Sequence, residues 1–223
     1  NYMETNAVHS PVFIIFFKYL SLFGNDLGRF LFVNISVLLP IFFYLSLNTK
    51  FKNHYILLFV LSNFFFLSPY FRSSAIWPGD ENLALLFFCL SIYCYCLFIN
   101  SKEELSKVIL LILNIIFLAV ASYFRPTYSL FTILFFYEMV FKNFRLNYFY
   151  IYFFFSLILA FPAFYYIFIM DVKYFYHIIG SSHFINSFPL TYTVMFFYLF
   201  PFIILMFKSR EKIIVFNFIN FIL

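Results

Sequence analysis

Long apolar stretches separated by short polar gaps make up almost the whole chain. Seven runs of 15 to 23 residues are long enough, or nearly so, to cross a bilayer as helices. They are Phe30–Asn48, Tyr55–Phe71, Leu83–Ile99, Val108–Phe124, Thr127–Phe141, Tyr148–Met170 and Leu190–Phe207. An eighth run begins at Ile213 and reaches only Leu223. The pattern predicts an all-α polytopic transmembrane helical bundle of about seven spans plus a truncated eighth, forming one transmembrane domain over residues 1–223.

The apolar stretch Pro11–Phe23 has only 13 residues and carries Lys18 near its middle. A helix of this length is about 20 Å long, too short to span the hydrocarbon core. We therefore predict one interfacial helix over residues 11–23, within an outer segment 1–29. Gly24, Asn25 and Asp26 supply a helix stop and a turn before the first span. The alternative is a truncated spanning helix.

Positive charge alternates from gap to gap along the chain. Nine of the fourteen Lys and Arg residues lie in every second gap, and the other five are spread over the intervening gaps. The nine are Lys50, Lys52, Lys102, Lys107, Lys142, Arg145, Lys208, Arg210 and Lys212. Cytoplasmic loops retain Lys and Arg, so residues 1–29 are predicted on the non-cytoplasmic side of an inner, plasma or endoplasmic reticulum membrane. Inward loops account for the net charge of +5, and no nucleic-acid partner is implied.

Composition supports lipid as the solvent of this chain. With 65% hydrophobic and 10% charged residues, an ordinary soluble domain is excluded. Cys89, Cys94 and Cys96 fall within one apolar run at a spacing that resembles no metal site, which indicates packing thiols. The chain opens without Met and stops inside an apolar run, so we interpret it as an internal fragment.

Charged residues are almost absent from the predicted spans. The exception is Glu138, four residues before Lys142, a spacing that pairs the two on one helix face. An interfacial ion pair is the favoured interpretation and a proton relay is the alternative. Ion-coupled transporters carry ionisable groups near mid-membrane, whereas here the polar groups concentrate at the predicted outer surface.

Two outer connections carry the candidate chemistry. The first, residues 68–82, places Arg72 after one span and the carboxylates Asp80 and Glu81 at the start of the next. The helix dipole favours acidic residues there, so capping competes with a catalytic or metal-assisting role. The second is the tight turn at Arg125, where Pro126 suits the first turn of a new helix. Arg125 either snorkels to ordinary lipid phosphate or clamps a particular phosphate with its bidentate fork.

The order of these elements resembles the GT-C membrane glycosyltransferases over about residues 9–135. The similarity lies in His9-Ser10-Pro11 before an apolar helix, then Gly24, Arg29 and Asn34, then Pro69 and Arg72 before an acidic residue, and then the turn Phe124-Arg125-Pro126-Thr127. Two features depart from the family pattern. Ser10 replaces an expected proline, and the acidic residue usually taken as the catalytic base would lie upstream of residue 1.

The resemblance implies an enzyme that moves a sugar from a polyprenyl-phosphate donor to an acceptor at the outer, periplasmic or lumenal face. It implies Arg72 and Arg125 as a phosphate clamp, His9 lining the site, and Asp80 or Glu81 orienting the acceptor or assisting a divalent metal. The catalytic residue is left unassigned. No cofactor or metal site is predicted, and the oligomeric state is not indicated. The alternatives are an O-antigen-type polysaccharide polymerase and a transporter or flippase for lipid-linked oligosaccharide.

Overall fold

The structure is a computed structural model, and it describes residues 11–52, 54–143 and 145–165. In this part of the chain every regular element is helical. The α-helices are α1 (Pro11–Ser21), α2 (Asn25–Lys50), α3 (Tyr55–Leu67), α4 (Pro69–Ile76), α5 (Asp80–Asn100), α6 (Glu104–Phe124), α7 (Phe131–Phe136) and α8 (Leu146–Tyr165). The described residues belong to one compact unit that ends at Tyr165, and they do not test the prediction of a single domain over 1–223.

Four of the described helices, α2, α5, α6 and α8, are long and apolar enough to cross a membrane. They contain the described parts of the predicted spans Phe30–Asn48, Leu83–Ile99, Val108–Phe124 and Tyr148–Met170. The all-helical prediction is thus confirmed, and the membrane assignment is supported by length and composition. The predicted span Leu190–Phe207 and the truncated eighth lie outside the described residues.

The second predicted span, Tyr55–Phe71, is wrong as a single helix. It breaks at Ser68, and α3 and α4 meet at a bend of 62°, as a broken span or a re-entrant pair. Proline is the cause, because Pro69 disfavours a helical conformation at Ser68 and suits the first turn of a new helix. The Ser68 hydroxyl caps that new helix by accepting a hydrogen bond of 3.3 Å from the Phe71 amide. Helix α4 therefore occupies a segment that the sequence predicted to be a loop.

The fifth predicted span, Thr127–Phe141, is a composite element. It consists of a 3₁₀ turn (Pro126–Leu130), the six-residue α7, and a π turn (Tyr137–Phe141). In the π turn the Lys142 amide bonds to the Tyr137 carbonyl at 3.0 Å, five residues back. Pro126 begins the 3₁₀ turn, as expected for a first helical turn, but no uninterrupted α-helix of spanning length follows.

Helix α1 confirms the predicted short helix, which ends two residues earlier than expected. Gly24, with φ of 97°, then turns the chain into α2 as predicted. The end of α1 lies against α2, and a Cβ at Gly28 would be 2.9 Å from the Leu20 carbonyl oxygen. Phe13 is buried against Phe32. The angle between α1 and a membrane plane stays a prediction.

Helices α5 and α6 form the centre of the unit, with α2 against α5 and α8 against α6. Within this pair the Asn114 side-chain amide donates to the Ser91 carbonyl at 2.9 Å and to the Ser91 hydroxyl at 2.8 Å. Both residues are fully buried. The three cysteines are free and buried in α5, which confirms their interpretation as packing residues.

Candidate functional site

Three predicted site residues converge at one end of the α5–α6 pair. Asp80 and Glu81 occupy the first turn of α5, and Arg125 directly follows the last turn of α6. The Arg125 Nη2 donates to Asp80 Oδ1 at 2.9 Å and also to Glu81 Oε1. These three side chains are called the acidic cluster below. One guanidinium nitrogen therefore joins two carboxylates that lie 44 and 45 residues away in sequence.

The carboxylates of the acidic cluster differ in burial. The Asp80 side chain is 2% exposed, whereas those of Glu81 and Arg125 are 32% and 37% exposed. A buried carboxylate requires a partner, and Arg125 is a partner for Asp80. With both carboxylates ionised the cluster has a formal charge of −1, which the N-terminal dipole of α5 stabilises. Glu81 is consequently the carboxylate that a ligand can reach.

Helix α4 and the connection after it hold the acidic cluster in place. The Asn82 side-chain amide donates to the Phe71 carbonyl at 3.1 Å, which fastens the start of α5 to α4. Gly79 lies close to both Ser74 and Glu81. Its amide donates to the Ser74 carbonyl at 3.1 Å, and a Cβ added at Gly79 would lie 2.7 Å from Glu81 Oε2. Asn82 was not among the predicted site residues, because its partner lies on a helix that the sequence did not reveal.

Two buried polar atoms next to the acidic cluster have no hydrogen-bond partner among the described residues. They are the Ser74 Oγ and the Arg125 Nε. Buried polar groups are nearly always satisfied in folded proteins, and a ligand or a bound water is one explanation for an exception. The cluster thus combines a fixed ion pair with unused hydrogen-bonding capacity.

The other two predicted site residues do not join the acidic cluster. Arg72 is exposed on α4 and forms no ion pair with any described residue. His9 lies outside the described residues. The hypothesis that Arg72 and Arg125 converge on one lipid phosphate therefore stays a prediction. Arg125 already binds two carboxylates, a contact that the sequence did not predict.

A cation–π contact lies beside α4. The Arg29 guanidinium sits 5.4 Å from the centroid of the Trp77 ring, so α2 is joined to the residue that ends α4. Both residues are in the segments that resemble the glycosyltransferase pattern. The sequence alone did not predict this contact.

At the opposite end of the unit, the predicted pair of Glu138 and Lys142 is confirmed. The Lys142 ammonium donates to both Glu138 carboxylate oxygens, at 2.7 and 2.8 Å. These bonds raise the pKa of Lys142 above its ordinary value. The Tyr95 hydroxyl also donates to Glu138, at 3.1 Å, which ties α5 to the π turn. The ion-pair interpretation therefore accounts for the charge of Glu138.

In the part of the chain that the structure describes, no third His, Cys, Asp or Glu joins Asp80 and Glu81 as a potential metal ligand. What the acidic cluster offers is a reachable carboxylate, held by an arginine at the end of a helical bundle. Such a group accepts a hydrogen bond or a proton from a hydroxyl. Comparison with protein-family models, with curated proteins and with solved structures finds no match to this chain.

Proposed function

We propose that the protein is a membrane glycosyltransferase of GT-C type, acting on a polyprenyl-phosphate-linked sugar. The proposal includes about seven spans plus a truncated eighth. Residues 1–29 and the acidic cluster face the non-cytoplasmic side of an inner, plasma or endoplasmic reticulum membrane. The sugar is transferred at that face to an acceptor. The sequence resemblance supplies the donor class, and no cofactor is included.

The observation that carries the proposal is the acidic cluster itself. Ionisable side chains buried at the end of a membrane bundle are costly to place there and are frequent at functional sites. The Asp80 side chain is 2% exposed and is bound to Arg125, while Glu81 is left partly open to a ligand. A transporter or flippase would instead need charged groups along the middle of the spans. The described mid-bundle polar pair, Asn114 and Ser91, is uncharged and fully buried.

Each residue of the proposed site has a distinct task. Glu81 accepts the hydrogen bond of the acceptor hydroxyl and orients it towards the donor sugar. Asp80 holds Arg125 in place. Both carboxylates bind Arg125 through Nη2, so its Nη1 is directed to the lipid phosphate. Arg72, which forms no ion pair with any described residue, contacts the same phosphate. His9 lines the same site.

The first prediction is tested by sugar transfer in lipid nanodiscs. The full-length protein is supplied with polyprenyl-phosphate sugars carrying a radiolabelled sugar and with membrane-extracted acceptors, and both labelled product and freed polyprenyl phosphate are measured. We expect Glu81→Gln, Arg125→Lys and Arg72→Lys each to lower kcat/KM by about 100-fold. This is the size of effect expected when one contact that stabilises the charge developing in the transition state is lost. Lysine cannot reproduce the planar fork of arginine.

The matched control is Glu103→Gln, which also neutralises one exposed glutamate but lies at the opposite end of the unit. It should leave transfer unchanged. Normal activity of both arginine variants would contradict the phosphate clamp, and normal activity of Glu81→Gln would contradict the acceptor site. Elongation of lipid-linked repeats would instead indicate a polymerase. Passage of the sugar lipid across the bilayer without transfer would indicate a flippase.

A further inference from the structure

The end of the unit opposite the acidic cluster carries three exposed lysines on two adjacent connections. Lys50 ends α2, Lys52 follows it, and Lys102 lies between α5 and α6. The Asn100 side-chain amide donates to the Thr49 carbonyl at 3.2 Å, so the two connections meet. These three lysines are called the lysine face. Lys50 and Lys102 each lie within two residues of that hydrogen bond.

The acidic side chains at this end are already bound elsewhere. Glu104 accepts from Arg145 and, at 2.7 Å, from the Tyr148 hydroxyl. Glu138 is bound by Lys142, and Glu103 accepts from the Ser106 hydroxyl at 2.6 Å. Within the described residues, none of the three lysines of the lysine face has an ion-pair partner. Among the described residues at this end, six cations face three carboxylates, so an excess of positive charge is available to an external anion.

Large apolar side chains lie exposed beside the lysine face. Ile99 is 59% exposed at the end of α5, and Tyr55 and Ile56 are exposed at the start of α3. Cations next to exposed apolar residues at a helix end match a molecule with an anionic head and a hydrocarbon tail. These residues lie at the ends of predicted spans, so the acyl chains of a lipid whose headgroup binds the lysines would lie directly beside them.

We propose that the lysine face binds the headgroup of an anionic phospholipid, whose acyl chains cover Ile99, Tyr55 and Ile56. The lipid bridges the end of α2 to the α5–α6 connection. Each lysine near an anionic lipid surface adds an attraction that is weakened by salt. This inference does not depend on the proposed glycosyl transfer.

The second prediction is tested by native mass spectrometry of the full chain in mixed micelles. The micelles contain equal amounts of phosphatidylglycerol and phosphatidylcholine with identical acyl chains, and the ratio of retained lipids is measured. We expect the wild type to retain phosphatidylglycerol preferentially. The triple variant Lys50→Gln, Lys52→Gln, Lys102→Gln should lower that preference by about tenfold or more.

The control removes two charges from the other end, as Lys18→Gln, Arg29→Gln, and should keep the preference, whereas the double variant Lys50→Gln, Lys102→Gln should lower it. The charge-preserving variant Lys50→Arg, Lys52→Arg, Lys102→Arg should keep it as well, which separates lost charge from lost folding. An equal loss of the preference for phosphatidylglycerol in the control would show that only the net charge of the protein matters, and it would overturn the proposal. Competition by glycerol phosphate as strong as that by phosphatidylglycerol would overturn the role of the acyl chains.

Discussion

At Gly79 the chain passes between Ser74 and Glu81 with no room for a side chain. A Cβ there would overlap the Ser74 hydroxyl and lie 2.7 Å from Glu81 Oε2. Ser74 is buried within α4, so its short side chain has little room to move away. The position of Glu81 relative to Arg125 therefore depends on a residue that carries no functional group.

The third prediction compares two glycine substitutions. Gly79→Ala should displace Glu81 and lower sugar transfer by about tenfold or more, with a stability loss of about 1–3 kcal/mol from overpacking. Gly24→Ala has open space around the new Cβ but a φ of 97°, so it should cost about 1 kcal/mol and leave transfer per folded molecule unchanged. Unfolding temperature in detergent and transfer rate are measured together. Equal transfer by the two variants would contradict the role of Gly79.

Residue contacts were predictable where they are local in sequence. Glu138 and Lys142 are four residues apart on a helical segment, and Asp80 and Glu81 open α5 as their charge suggested. The bonds of Arg125 to both carboxylates were not predictable. They join residues more than forty positions apart, and only the packing of α5 against α6 brings these residues together.

Elements were predictable in type and less so in continuity. The apolar runs located α2, α5, α6 and α8, because a helix is the only open-ended element that satisfies its backbone in lipid. The same runs concealed the breaks at Pro69 and in the π turn, since hydrophobicity does not change across either position. A membrane-helix proline is commonly tolerated as a kink, as at Pro40 within α2, so the residue type alone does not separate a kink from an end.

The fourth prediction concerns the buried contact between α5 and α6 at Ser91 and Asn114. Asn114→Ala removes both bonds to Ser91 and leaves a void, so it should cost about 1–2 kcal/mol. Asn114→Leu should cost less, because it fills the space and also removes the Asn114 Oδ1, which has no partner among the described residues. Asn34→Ala is the control, since the exposed Asn34 bonds only to the Phe30 carbonyl of its own helix. Unfolding in detergent is the measurement, and equal losses for Ala and Leu at Asn114 would refute this account.

On the scale of the whole molecule, the charge alternation remains the basis for orientation. The described helices place the acidic cluster at one end and Lys50, Lys102, Lys142 and Arg145 at the other. This separation agrees with the predicted alternation, and the side on which each end lies is still to be measured. The end-to-end separation was predictable because every intervening run was long and apolar. The number of spans was not, because two of the runs are interrupted.

The fifth prediction tests that orientation with single cysteines in a background lacking Cys89, Cys94 and Cys96. Cysteines at the exposed positions Ser73 and Thr127 should react with an impermeant thiol reagent added outside intact cells. Cysteines at the exposed positions His54 and Glu103 should react only after permeabilisation. Ser74, one residue away from Ser73, is buried and would be a poor reporter. The reverse labelling pattern would place the acidic cluster on the cytoplasmic side.

The hydrogen bond between Asp80 and Arg125 has a consequence for the order of events during synthesis. Arg125 follows Asp80 by 45 residues, so it leaves the ribosome about 2 to 9 seconds later. During that interval the bond to Arg125 cannot form, so it cannot yet help to hold the start of α5 in place. The Asp80–Arg125 bond can therefore form only after α6 has been made, and it closes the α5–α6 hairpin at the residue that follows α6.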